Sequence, residues 1–331
     1  MTNLLNNLQL PYKYEDIVKI QSNINNSLTS KLNYNILVKQ LKKNIIHIGQ
    51  LKLFMGELTF LLTYYKPTAI VVYVGAAPGG HIPFLASLFP TIKFILYDPR
   101  DFDIENANKI MKLKTNKQII VKQKLFTNKQ AEKIKKKYNS EDILFISDIR
   151  SMNDQDQFQH YKEANNDFEN WELNVDKNMK MQKKWCQIIQ PFAASLKFRV
   201  LYNKPTYEYL TGNIILQIFN KLSIEARLFT QDYYTTTIYN QSEYEKYNLY
   251  YCKEFRNTNK NYEIFETELK KYNLQSIFDI SLSCCILEKY YILLNDTQNI
   301  KEKSVKLFLD IVNSIHEIYG HVGYQKLFID Y

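Results

Sequence analysis

Four ionisable residues stand in surroundings that are otherwise apolar. Lys52 lies inside the run Gly49 to Leu61, Asp148 follows Ile-Leu-Phe-Ile-Ser, Lys197 sits in Ala-Ala-Ser-Leu-Lys-Phe, and Glu225 precedes Ala-Arg-Leu-Phe-Thr. Amines held among carboxylates can orient a hydroxyl and take its proton. Alone, a lysine in an apolar run is more often a snorkelling surface residue. In this order, behind a glycine-rich loop, the four carry more weight. That loop is Gly75-Ala76-Ala77-Pro78-Gly79-Gly80, and it stands out because glycine is scarce: the chain has 8 in 331 residues, where average usage gives roughly 23. Five of them, Gly49, Gly56, Gly75, Gly79 and Gly80, fall between positions 49 and 80. Glycine serves positive φ and close approach of backbone to a ligand, so the cluster marks a site.

The elements that must position these residues follow from the apolar pattern. Gly49 to Tyr65 reads as a buried helix closed by Pro67. Strands are expected at Ala69–Val74, Thr91–Tyr97, Gln118–Lys122, Ile143–Ser147, Ser195–Leu201, Asn213–Phe219 and Glu225–Thr230. Helices alternate with them, from His81 to near Phe89, after Lys122, and from Trp171 to Ile189. This alternation predicts an α/β chain with a doubly wound, mostly parallel, Rossmann-like sheet. Beyond Gln231 the pattern turns helical. The expected organisation is an N-terminal extension over 1–48 packed on the core, a core over 49–231, and a mostly helical part of the same domain over 232–331.

Ligands of such sheets sit at the carboxyl ends of the strands, where the loop, Asp98 and Asp148 all fall. The loop is neither G-x-G-x-x-G nor a phosphate loop, since Ala77 replaces the second glycine and no Gly-Lys-Ser/Thr follows. Asp98, 23 residues after Gly75, is placed to accept ribose hydroxyls. The combination favours S-adenosylmethionine over a dinucleotide.

Charge and cysteine usage exclude other classes. The net charge of +9 is concentrated: Lys109 to Tyr138 holds 11 Lys, one Glu and no Arg or Asp. Such a stretch is either solvated surface or a patch for a phosphate backbone. The whole chain's richness in Lys, Asn, Ile, Tyr and Phe fits an A/T-rich genome. Cys186, Cys252, Cys284 and Cys285 form no C-x-x-C, and five scattered His give no metal spacing, so reduced thiols and no metal are expected. No signal peptide or membrane span is apparent.

The order Lys52–Asp148–Lys197–Glu225 with the loop GAAPGG resembles the RNA ribose 2′-O-methyltransferases of the heat-shock rRNA methyltransferase type. GQLKLFMGELTFL (Gly49 to Leu61), LFISDIRS (Leu144 to Ser151) and ASLKFRV (Ala194 to Val200) are closer still to the poxvirus cap-specific mRNA 2′-O-methyltransferases. Members of that family also serve as the small regulatory subunit of a poly(A) polymerase. The likeness is strong from Gly49 to Gln231. It implies Lys52, Asp148, Lys197 and Glu225 as the catalytic set. It implies a cofactor pocket of Gln50, Leu53, Tyr73, Gly75, Gly79, His81, Asp98, Arg100, Asp148 and Arg150, with Phe126 or a neighbour at the adenine. His81 reads equally well as a locally packed helix-start residue. For the cap, Tyr202 and Tyr34 match the stacking rings and Glu245 an edge acid, while Lys204 stands where the family carries a second acid. Implied partners are capped mRNA and a poly(A) polymerase catalytic subunit, without a membrane, in a host cytoplasm.

Chemically, Lys197 is the candidate base. A free lysine titrates near 10.4, and burial beside another cation such as Lys52 brings it to roughly 7–8, while Asp148 and Glu225 orient the two amines. Three activities stay open: cap 2′-O-methylation, service as a polymerase processivity subunit, and 2′-O-methylation of uncapped RNA.

Overall fold

The structure, a computed structural model, describes residues 45–115, 117–149, 166–219, 225–256 and 263–319. The predicted N-terminal extension therefore lies outside the described residues, apart from positions 45–48. Tyr34 and Arg150 also fall outside them.

The first described helix, α1 (Ile45–Thr63), is apolar around much of its circumference, the composition of a helix buried on several sides. Phe54, Met55, Leu58, Phe60 and Leu61 are fully buried. It leads to β1 (Ile70–Val74), whose Ile-Val-Val-Tyr-Val run suits a strand covered on both faces. Then follow α2 (Ile82–Leu88), started by Pro83 in its first turn, β2 (Lys93–Asp98), α3 (Ile104–Ile110), β3 (Ile119–Gln123) and α4 (Asn128–Lys137). After β4 (Ile143–Ser147) come α5 (Asn166–Ile189), β5 (Ala193–Phe198), β6 (Thr206–Leu210), β7 (Asn213–Ile215), β8 (Ala226–Thr230) and β9 (Thr236–Asn240). The chain continues through α6 (Gln241–Tyr250), α7 (Glu266–Lys270), α8 (Phe278–Leu293) and α9 (Ile300–Tyr319).

Seven strands form one sheet in the order β3-β2-β1-β4-β5-β8-β7. The first five are parallel, and β8 alone is reversed, pairing antiparallel with both β5 and the edge strand β7. The order reverses between β1 and β4, the switch point at which such sheets bind ligands. α8 and α9 both pack on α1, so the helical C-terminal part covers the same helix that carries Lys52.

Several sequence expectations are corrected. The predicted fifth strand begins at Ala193 and stops at Phe198, and the sixth shortens to Asn213–Ile215. Two strands were not anticipated: β9, within the mostly helical region beyond Gln231, pairs with β6 in a separate antiparallel sheet. Thr206-Tyr-Glu-Tyr-Leu alternates exposed and buried positions, the period-2 signature of a half-buried strand. Among the described residues, no helix is long and apolar enough to cross a membrane.

Candidate active site

The glycine loop leaves β1 and closes on β4. Gly75 adopts φ +82°, and a Cβ there would lie 2.6 Å from the Asp148 carbonyl oxygen. The Asp148 amide donates to the Val74 carbonyl at 2.9 Å, so the loop and Asp148 are fixed to each other by backbone. Gly79, at φ +65°, would bring a Cβ within 2.7 Å of the Ala76 carbonyl oxygen. At both positions only glycine fits without strain.

Beside the loop, the four residues singled out from the sequence meet. Lys197 Nζ lies 2.9 Å from Asp148 Oδ1 and 3.0 Å from Glu225 Oε2. Lys52 Nζ lies 3.4 Å from Glu225 Oε1. The topology explains the meeting. Lys197 is near the carboxyl end of β5, and antiparallel β8 starts beside it, with Lys197 in register with Arg227. Glu225, just before β8, is thereby brought to the same end as Asp148.

A fifth member was not anticipated. Arg227 Nη2 lies 2.8 Å from Asp148 Oδ1 and 3.8 Å from Glu225 Oε1, and its side chain is 6% exposed. Burial pulls its guanidinium pKa down, but Asp148 and Glu225 outweigh burial and leave it above its ordinary value. A sequence signal existed: residues two apart in a strand point to the same face, so Arg227 had to project with Glu225. The five side chains alternate in sign from Lys52 to Arg227. Lys197 is thus bonded to two carboxylates at once.

Behind the loop is a second buried polar group. His81 Nδ1 is 2.6 Å from Gln50 Oε1, its Nε2 is 2.9 Å from Glu57 Oε2, and the Tyr73 hydroxyl donates to Glu57 Oε1 at 2.7 Å. Burial first, then the Glu57 and Asp148 charges, push the Tyr73 hydroxyl well above its usual pKa. Gln50, Tyr73 and His81, expected as separate pocket residues, are thus joined through Glu57, which sequence reading missed. Gln50 and Glu57 are seven apart on α1 and share one helix face. Leu53, on the same helix, is half-buried.

Asp98 departs from expectation. It is 3% exposed and receives four donors: the amides of Ala77 at 3.2 Å and Arg100 at 3.0 Å, and Arg100 Nε and Nη2, each at 3.0 Å. A carboxylate offers about four acceptor directions, so here it ties the loop to Arg100 instead of presenting free oxygens. Phe126, expected with its neighbours at the adenine, packs inward. Its ring is in the core, 4.8 Å from Tyr97 and 5.0 Å from Trp185, whereas its neighbour Leu125 is 67% exposed.

Tyr202 has its ring 5.0 Å from the Arg199 guanidinium, which lies 3.8 Å over the Trp171 ring. Glu172, fully buried, pairs with Arg199 and accepts from the Tyr202 amide at 2.8 Å. The guanidinium is therefore a planar cation stacked on aromatic rings with a carboxylate at its edge. Glu245, on α6, is half-buried and accepts from Gln241 at 2.8 Å. Lys204 stands 4.0 Å from Asp176.

A doubly wound sheet with an antiparallel far edge, a glycine cradle at its switch point and a lysine–carboxylate cluster alongside defines a Rossmann-like fold of the S-adenosylmethionine-dependent methyltransferase class. The model of the poly A polymerase regulatory subunit family matches residues 21–317, and the chain belongs to that family. It is similar to the cap-specific mRNA (nucleoside-2′-O-)-methyltransferase of fowlpox virus (strain NVSL), with 31% identity over 183 residues, 53% of each chain. It is also similar to the protein of that name from myxoma virus (strain Lausanne), with 30% identity over 239 residues, 66% of this chain and 65% of the relative. The match thus spans about half to two thirds of these relatives' lengths. The crystal structure of coclaurine N-methyltransferase bound to N-methylheliamine and SAH aligns over 97% of this chain and 88% of that one, at 14% identity and a TM-score of 0.26. A superposition that loose fixes neither fold nor chemistry.

Proposed function

We propose that the chain methylates the ribose 2′-hydroxyl of the first transcribed nucleotide of capped mRNA, converting cap 0 to cap 1. The observation that carries this reading is Lys197 Nζ held 2.9 Å from Asp148 and 3.0 Å from Glu225, at the end of the sheet where the glycine loop closes. The names of the poxvirus relatives point the same way.

S-adenosylmethionine fits the residues present: Gly75 and Gly79 turn at positive φ against the Asp148 and Ala76 backbone, a loop that lets backbone approach a ligand closely, and the cofactor would supply a methyl group on a sulfonium. Gly75, Gly79, Arg100 and Asp98 would hold it, with Gln50, Leu53, Tyr73 and His81 supporting the loop from behind and Arg150 completing the set. Ribose hydroxyls would take the Asp98 oxygens now bonded by the half-exposed Arg100 fork.

The reacting hydroxyl is a weak nucleophile and must lose its proton. Lys197, held by Asp148 and Glu225, would meet that hydroxyl. As a free amine it presents a lone pair and receives the proton; as an ammonium it orients the oxygen through a third N–H. With Lys197 neutral, Lys52 and Arg227 balance Asp148 and Glu225, so the proton can leave without stranding a charge. Lys52 reaches the same cluster through Glu225 and can hold the hydroxyl from the other side. Tyr202 and Glu245, with Tyr34, would engage the methylated guanine.

Methyl transfer from tritiated cofactor to a cap-0 oligonucleotide, with an uncapped control, tests the reading. Label in the capped RNA alone is expected; equal label in both would make the substrate uncapped RNA. Lys197→Ala should abolish transfer while cofactor binding persists, and retained turnover would remove Lys197 from its role.

The family match favours a second role for the same protein, as regulatory subunit of a poly(A) polymerase. Co-purification with a polymerase catalytic chain is the expected result if it holds.

A further inference from the structure

The lysine excess does not disperse when the chain folds. Lys129, Lys133, Lys136 and Lys137 are all exposed and follow the i, i+4, i+7, i+8 spacing of one helix face. The opposite side of α4, Ala131 and Ile134, is buried. α4 packs on α5, where Lys177, Lys180 and Lys184 are exposed at i, i+3 and i+7. The two helices meet beside a groove of about 410 Å³ lined by Asn128 of α4 and by Leu173, Lys177, Lys180, Met181 and Lys184 of α5. The one acid lining that groove, Asp176, is neutralised by Lys180 at 2.7 Å and Lys204 at 4.0 Å. Of the α4 face and the α5 stripe, only Lys180 is among the described ion pairs; Lys137 lies over the Tyr138 ring, and Glu132 is the one acid exposed among the α4 lysines.

We propose that the α4–α5 lysine face is a second RNA surface, which grips the phosphate backbone of single-stranded RNA outside the Lys197 site and without regard to sequence. Its composition selects the ligand. Interfaces between proteins favour Arg and aromatic residues and are depleted in Lys; this face has lysine and no arginine. Lysine ammoniums act as point charges on phosphate and do not read base edges in forks. A bilayer would need an apolar helix face at the surface, and that of α4 is turned inward. The inference rests on the RNA-directed function proposed above, yet its test needs no methyl transfer.

The test is fluorescence anisotropy of the full-length protein with an uncapped 20-nucleotide oligo(A), without cofactor, between 50 and 200 mM KCl. Each single-strand phosphate contact adds about 0.7 to the slope of log K against log salt, so contacts from the six lysines replaced below predict a slope of about 4 and on the order of a 300-fold loss of affinity over that range. Lys129/Lys133/Lys136/Lys137→Gln should weaken binding by at least about 10-fold at 50 mM and lower the slope by about 2–3. Lys177/Lys184→Gln, on the other helix, should lower it by about 1–1.4. Lys197→Ala should keep the wild-type slope, which separates this surface from the methyl-transfer site. Slopes unchanged in both lysine variants would overturn the proposal. So would unchanged RNA affinity with lost binding to polyglutamate, which would make the partner an acidic protein.

Discussion

Replacing Gly75 by alanine tests whether the loop and the lysine cluster form one machine. The added Cβ would sit 2.6 Å from the Asp148 carbonyl oxygen, about 0.8 Å inside the 3.4 Å at which ordinary contact begins. The obstacle is backbone on both sides, so no side chain can swing away. The left-handed conformation adds about 1–2 kcal/mol for a residue with a Cβ, and overpacking adds about 1–3 kcal/mol. A total of about 2–5 kcal/mol of stability should be lost, read as a fall in the urea midpoint. The larger consequence is geometric. Moving Asp148 by most of an ångström pulls its carboxylate off Lys197 and Arg227, now at 2.9 and 2.8 Å. A displacement of about 1 Å costs on the order of 10²-fold in rate. Methyl transfer by Gly75→Ala should therefore fall about 100-fold in single-turnover assays on protein shown to be folded. Activity within threefold of wild type would refute the coupling argued here between loop and cluster.

Arg227→Ala removes the most buried cation of the cluster and leaves Asp148 and Glu225 to Lys197 and Lys52; losing its charged hydrogen bond to Asp148 should cost about 1.5–3 kcal/mol of stability, and a denaturant midpoint unchanged from wild type would show Arg227 to be dispensable. Asp176 is held below the usual carboxylate range by hydrogen bonds from Lys180 and Tyr207, which outweigh burial. Its contribution is present above the unfolded carboxylate value and lost as pH falls through the lowered folded one, so Asp176→Asn should flatten the acid limb of stability against pH below about 4. Cys186, Cys284 and Cys285 are buried and Cys252 is half-buried, and burial pushes the Cys285 thiol up to about 12. At pH 8 a native sample should release one equivalent of thiol to Ellman's reagent, from Cys252, and all four only when denatured.

Much of this site was readable from spacing. Lys52, Asp148, Lys197 and Glu225 announced themselves as charges inside apolar runs, and the switch point then gathered them because β1, β4 and β5 are neighbours. Arg227 was harder, because an arginine at the start of a strand looks like an edge residue until the register places it opposite Lys197. Glu57 was hidden for a different reason: in a helix buried on several sides, periodicity does not say which polar residue faces inward. Asp98 shows the limit of motif reading. Its position was right, but its partners come from Ala77 and Arg100, and the Arg100 fork reaches back through a turn whose geometry no spacing rule gives. β6 and β9 were lost because their pairing joins segments about 30 residues apart in a small side sheet. The antiparallel edge was lost because strand direction is a property of connections, not of composition.

The Gly80 amide donates to the Tyr319 hydroxyl at 2.8 Å, across 239 positions of chain, and a Cβ at Gly80 would strike that hydroxyl at 2.5 Å. The turn that follows the cradle is thus completed by the last described residue of the last described helix. During synthesis the strands bearing Asp148, Lys197 and Glu225 all emerge well before Tyr319 does. A nascent chain can assemble its sheet while the Gly79–Gly80 turn still lacks its outer wall. Ordering of that wall therefore waits on α9, 239 residues beyond the loop it closes.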